Sequence, residues 1–128
     1  MSATTIVVAD DDPPIRRLLA YTLQRRGYQV LEAADGETAL ALIRQSLPAL
    51  AILDMMMPGL SGLEVTRALA QDPATAGIPT MIVSAKGQEA EIEAGLAGGA
   101  CSYIVKPFAP RDVATRVAEI LGHEHGSQ

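Results

Sequence analysis

Five short aliphatic runs recur along the chain, each followed by a stretch whose apolar residues lie three and four positions apart. The runs are Ile6-Val7-Val8-Ala9, Tyr28-Gln29-Val30-Leu31-Glu32-Ala33, Leu50-Ala51-Ile52-Leu53, Thr80-Met81-Ile82-Val83-Ser84-Ala85 and Cys101-Ser102-Tyr103-Ile104-Val105. An unbroken apolar run of four fits a strand buried on both faces, and the spacing between runs fits helices with one buried side. Five strands alternating with helices predict an α/β protein: a parallel sheet with helices on both faces and right-handed crossovers. All strand carboxyl ends then fall along one edge, where ligands bind in open sheets of this kind.

The intervening segments carry their own start and stop signals. Asp12 can cap a first helix, with Pro13 at its first position and Ile15, Leu18, Leu19 and Leu23 on one side as far as Gly27. Asp35-Gly36 starts a second, with Ala39, Leu40, Ile43 and Leu47 as its stripe and Pro48 ending it. Gln29 and Glu32 make the strand between them polar, which suits the sheet edge. Ser61-Gly62-Leu63-Glu64 has capping-box spacing and opens a third helix ending near Asp72-Pro73. A fourth, from Glu89 to Ala97, lies in a glycine-containing stretch and is expected to be among the less stable. The last opens at Ala109-Pro110-Arg111-Asp112, buries Val113, Val117, Ile120 and Leu121, and closes at Gly122.

The 128 residues suffice for one domain, assigned to residues 1–122, with residues 123–128 as a polar tail or the start of a linker. The histidines of that tail, His123 and His125, fit a frayed end better than a metal site. With one Phe, three Tyr and no Trp, the core is aliphatic, and base stacking on aromatic rings is not available. Net charge −5, with ten scattered cations, argues against a nucleic-acid surface. The single cysteine, Cys101, excludes an internal disulfide and a cysteine zinc site. No run approaches membrane-spanning length and the start lacks a signal-peptide pattern, so a cytoplasmic, membrane-free protein is expected.

The predicted edge gathers Asp10, Asp11, Asp54, Ser84 and Lys106. Asp54 ends the apolar run of the third strand, where burial penalises charge, and Asp10-Asp11 follows the first. Close carboxylate pairs repel by about 4 kcal/mol at an effective dielectric near 20, which a divalent cation relieves. Two or three carboxylates, completed by water and a phosphoryl group, suit Mg²⁺ better than Zn²⁺ or a Ca²⁺ cage. With the cation and Lys106 beside it, Asp54 can act as an oxygen nucleophile toward phosphorus, and the Ser84 hydroxyl can donate to a phosphoryl oxygen. The plainer alternatives are a capping carboxylate at Asp54, a solvated acidic turn at Asp10-Asp11-Asp12, and a lysine extended to solvent from a strand end.

Asp10-Asp11-Asp12-Pro13, the run from Ile52 to Gly62 around Asp54, Val83-Ser84-Ala85-Lys86 and Tyr103-Ile104-Val105-Lys106-Pro107-Phe108 resemble the four signature segments of response-regulator receiver domains, in that family's order and spacing. The resemblance covers about Ile6 to Leu121. It implies a flavodoxin-like, doubly wound five-stranded parallel sheet of order 2-1-3-4-5 flanked by five helices, and a Mg²⁺-dependent phosphoacceptor switch rather than an enzyme with external substrates. Asp54 would take its phosphoryl group from a sensor histidine kinase or a histidine phosphotransfer protein. Asp11, Asp54 and the Met56 main-chain carbonyl would bind Mg²⁺, for which Mn²⁺ can substitute, and Asp10 would act through water. Ser84 and Tyr103 would form the switch pair, and the Lys106-Pro107 bond would be cis. The face of the fourth helix, fifth strand and fifth helix is the expected output surface toward an effector domain or protein, and a candidate homodimer contact. The chain departs from the family at Pro48-Ala49 and Ala100-Cys101-Ser102, away from the proposed chemistry.

Three rivals remain. A receiver-like interaction module independent of phosphorylation conflicts with the full set of acids, Ser84 and Lys106. A D-x-D aspartyl phosphatase lacks its second acid, because residue 56 is Met. A nucleotide-binding Rossmann protein needs a glycine-rich loop where this chain has acids.

Overall fold

The computed structural model describes residues 4–85, 90, 93, 97 and 99–122. The strands are β1 (Thr5–Ala9), β2 (Gln29–Ala33), β3 (Leu50–Asp54), β4 (Thr80–Ala85) and β5 (Ser102–Lys106). The helices delimited among the described residues are α1 (Pro13–Gln24), α2 (Gly36–Ser46), α3 (Gly62–Gln71) and α4 (Pro110–Leu121). The additional helix expected over Glu89–Ala97 falls largely outside those residues, although Ala90, Glu93 and Ala97 are helical. All neighbouring strands pair in parallel, in the order β2-β1-β3-β4-β5.

Two-residue alternation divides the sheet's side chains between two cores. Ile6, Val8, Leu50, Ile52, Met81 and Val83 pack with Leu19 and Leu23 of α1 and with Val113 and Val117 of α4. Val7, Ala9, Ala51 and Leu53 face the other way, against Ala39 and Ile43 of α2 and Val65 and Leu69 of α3. Every residue of β3 is buried because this strand lies mid-sheet with a helical layer on each face. Small side chains at Ala9, Ala39 and Ala51 allow the second layer to sit close.

Local signals set the helix ends. Ser61 and Glu64 form the reciprocal capping box, with Glu64 N donating to Ser61 Oγ and Ser61 N to the Glu64 carboxylate. Asp35 caps α2 by accepting from Thr38 N at 2.7 Å. Leu47 departs from its expected buried stripe: it is the α2 C-cap, left-handed at φ 47°, and exposed. Pro48, which cannot continue the helix, follows it.

Candidate functional site

Parallel register brings the acids together. Ala9 lies opposite both Ala33 and Leu53, so the residue after β1 and the last residue of β3 reach the same edge. There Asp10, Asp11 and Asp54 each offer a carboxylate oxygen, all within 4.8 Å of one another. Asp54 is 5% exposed and Asp10 1%, while Asp11 is exposed. The backbone N–H of Asp10 donates to the Ala33 carbonyl at 3.1 Å, fixing where β1 ends.

Asp12 stands at the N-cap of α1 as expected, but its side chain makes no capping bond. Instead, Asp12 N donates to Asp10 Oδ1 at 2.9 Å, so the carboxylate that closes this turn belongs to Asp10. Such an i to i+2 bond competes well with helix capping. The other oxygen, Asp10 Oδ2, is buried and receives no hydrogen bond from the described residues.

Lys106 is the last residue of β5 rather than the residue after it, and its side chain turns toward the acids. Its Nζ lies 3.2 Å from Asp54 Oδ1 and 3.3 Å from Asp10 Oδ2, the latter an ion-pair contact without hydrogen-bond alignment. Burial pushes the Asp54 pKa up to about 6, reinforced by the Asp10 charge and opposed by Lys106. Burial also works against the Lys106 ammonium, but Asp54 and then Asp10 outweigh it and raise the lysine's pKa. One ammonium cannot neutralise three carboxylates.

Ser84, the penultimate residue of β4, is fully buried, and its hydroxyl has no hydrogen-bond partner among the described residues. Tyr103 points outward from β5 and is 40% exposed. Of the three consecutive methionines, Met55 and Met57 are buried and Met56, two residues after Asp54, is 64% exposed. The Lys106-Pro107 peptide is cis.

Two contributors escaped the sequence reading. Gly62 opens α3 against the backbone of Asp54: a Cβ there would stand 2.5 Å from the Asp54 carbonyl oxygen. The capping-box pattern marked this residue as a helix start and the signature run around Asp54 ended on it, but neither announced its contact with the Asp54 backbone. Arg16 of α1 donates through Nη1 to the Asp10 carbonyl at 2.9 Å and through Nε to Glu32 at 3.1 Å. No periodicity distinguishes it from its neighbour Arg17.

The donor set suits a hard divalent cation. Its atoms are carboxylate oxygens, two of the three side chains are buried, and one buried oxygen, Asp10 Oδ2, receives no aligned hydrogen bond among the described residues. At 4.8 Å, a pair of like charges repels by roughly 3 kcal/mol at an effective dielectric near 20, and this repulsion adds to burial, the larger cause, in raising the Asp54 pKa.

A parallel sheet of order 2-1-3-4-5, with acids from β1 and β3, a hydroxyl from β4 and a lysine from β5 at its carboxyl edge, defines a phosphoacceptor class of α/β domain. The family model for the response regulator receiver domain matches residues 6–118, and the chain belongs to that family of two-component regulators. It is 42% identical over 121 residues to the phosphate regulon transcriptional regulatory protein PhoB of Pseudomonas aeruginosa, covering 94% of this chain and 53% of the relative. It is 43% identical over 118 residues to the transcriptional regulatory protein ResD of Bacillus subtilis, covering 92% and 48%. The chain thus spans about half the length of these relatives. Among solved structures, the chemotaxis response regulator CheY4 of Vibrio cholerae superimposes with TM-score 0.87 at 28% identity, over 93% of this chain and 99% of that one. A CheY-like receiver domain protein from Methanospirillum hungatei gives TM-score 0.88 at 29% identity, over 94% and 95%. No helix among the described residues is long and apolar enough to cross a membrane.

Proposed function

We propose that Asp54 is the phosphoacceptor, taking a phosphoryl group from a phosphohistidine on a sensor histidine kinase or phosphotransfer protein. The observation that carries this reading is the convergence of Asp54, two further acids and Lys106 at one strand edge. An Asp54 carboxylate oxygen attacks phosphorus; the O–P bond forms as the donor's P–N bond breaks, and the departing imidazole nitrogen keeps the bonding pair. Lys106, already 3.2 Å from Asp54 Oδ1, offers its ammonium to a phosphoryl oxygen. The buried Ser84 hydroxyl, without a partner among the described residues, gains one.

Asp11, Asp54 and the Met56 carbonyl are the proposed direct ligands of Mg²⁺, or of Mn²⁺ in its place, with Asp10 acting through water. Bound there, the cation supplies charge neutralisation at the phosphoryl oxygens. The product is a switch state rather than a released product, so the domain acts as a signalling element within residues 1–122. Ser84 and the outward-facing Tyr103 form the switch pair, and the face made by the helix expected over Glu89–Ala97, β5 and α4 is the contact for a downstream effector or a second copy. This assignment places the protein in the cytoplasm, beside its kinase.

Incubating the protein with a small acyl phosphate and Mg²⁺ tests the proposal by intact mass. Gain of one phosphoryl group, lost in Asp54→Asn and absent without divalent cation, is expected. An unchanged mass would leave a receiver fold acting independently of phosphate.

A further inference from the structure

We propose that Arg16 is a positioning residue for the carboxylate cluster: held by Glu32, it fixes the peptide between Asp10 and Asp11 and so the aim of Asp11. This inference rests on the cation-binding reading of the cluster given above.

Asp11 is the only one of the three acids that is exposed, and its side chain makes no hydrogen bond among the described residues. Packing fixes Asp54 and Asp10; it does not fix Asp11. Its direction is therefore set by its backbone, which begins at the peptide carrying the Asp10 carbonyl and the Asp11 N–H. That carbonyl lies beyond the β1 ladder, where a backbone acceptor needs another partner. Arg16 Nη1 supplies it at 2.9 Å.

The guanidinium is itself held. Its Nε meets Glu32 at 3.1 Å, and the side chain is 14% exposed. Glu32 stands on β2 opposite Val8, so the bond ties the outer strand to α1 across the end of β1. Two simultaneous bonds from one planar cation fix its orientation in a way an ammonium cannot match. Arg17 also approaches Glu32, at 3.6 Å, but its side chain is 75% exposed, and among the described residues it is Arg16 that hydrogen-bonds the Asp10 carbonyl. The two adjacent arginines therefore have separable roles, and Arg17 is the internal control.

Groups that orient metal ligands typically change metal affinity by a factor of about ten or more when removed. Accordingly, Arg16→Lys should weaken Mg²⁺ binding by calorimetry roughly tenfold. The Asp11 amide resonance should shift in the metal-free protein, and phosphorylation by the acyl phosphate should recover at high Mg²⁺. Glu32→Ala should reproduce the loss in part through a freed guanidinium, Glu32→Gln should restore much of it, and Arg17→Ala should leave Mg²⁺ binding unchanged. Melting temperatures without metal separate these effects from misfolding; because Glu32 lies on the outer strand, its variants test the idea even if Arg16 variants fold poorly. Mg²⁺ affinity within twofold of wild type in both Arg16→Lys and Glu32→Ala overturns the proposal while leaving the phosphoacceptor reading standing. A wild-type protein that neither binds Mg²⁺ nor takes up phosphoryl overturns both.

Discussion

Lys106 Nζ lies 3.2 Å from Asp54 Oδ1, joining the end of an outer strand to the end of the central one. The contact is a charge balance as much as a bond, since the same ammonium also faces Asp10 at 3.3 Å. Replacing it by Lys106→Gln leaves two buried carboxylates without their cation. In metal-free protein near pH 8, urea denaturation should show a loss of about 1–3 kcal/mol, smaller than for a fully buried pair because Lys106 is partly exposed. Added Mg²⁺ should restore part of it. Unchanged stability would mean that the lysine is not neutralising the cluster.

Asp54 gives a pH dependence of defined sign. Its folded pKa is raised to about 6 from an ordinary 3.8, chiefly by burial. Between these values the native protein holds a proton that the unfolded chain releases, so this group's stabilising contribution is full below about pH 4 and is lost as pH rises through about 6. The shift corresponds to an upper figure of about 3 kcal/mol. Without divalent cation, Asp54→Asn should therefore be more stable than wild type at pH 8 by up to that amount, with the difference vanishing toward pH 4. A difference that does not change over this range would contradict the raised pKa.

The buried hydroxyl of Ser84 is unpartnered among the described residues, an arrangement that costs stability in the resting protein. Ser84→Ala should keep or raise the melting temperature, with a gain of about 1 kcal/mol. It should also blunt the amide shifts that a phosphoryl mimic with Mg²⁺ produces along β5. A stability loss above 1 kcal/mol would reveal a hydrogen bond made in solution.

Gly62→Ala tests the close approach of α3 to the Asp54 backbone. The added methyl would meet the Asp54 carbonyl oxygen at 2.5 Å and its carbon at 3.0 Å, and backbone cannot step aside as a flexible side chain can. Overpacking of this kind costs about 1–3 kcal/mol. Thermal melting should show that loss together with slower phosphoryl uptake; a melting temperature equal to wild type would show that α3 shifts freely.

Much of this arrangement could be read from the residues because the strands announce themselves by composition. The run at Leu50-Ala51-Ile52-Leu53 is buried throughout, and Gln29 and Glu32 belong to an edge strand as their polarity suggested. Local capping chemistry was equally legible at Ser61 and Glu64, where the pattern is confined to four residues. Harder to see was anything set by contacts between distant segments. Asp12 looked like the cap of α1, but three consecutive acids do not reveal which carboxylate turns back on the backbone, and it is Asp10. Leu47 kept the helical spacing yet falls where α2 has already ended. Arg16 and Arg17 are indistinguishable as letters, since only the fold decides which one meets the Asp10 carbonyl.

The position of β3 in the sheet has a mechanical consequence. Its backbone is bonded to β1 on one side and β4 on the other, so Asp54, its last residue, sits on an interior rail of the framework. Among the described residues β5 is bonded on one flank only, to β4, and it carries both Tyr103 and Lys106. Because the Lys106 ammonium reaches Asp54 from that strand, a change of charge at Asp54 would pull on a strand at the margin of the sheet rather than on its interior.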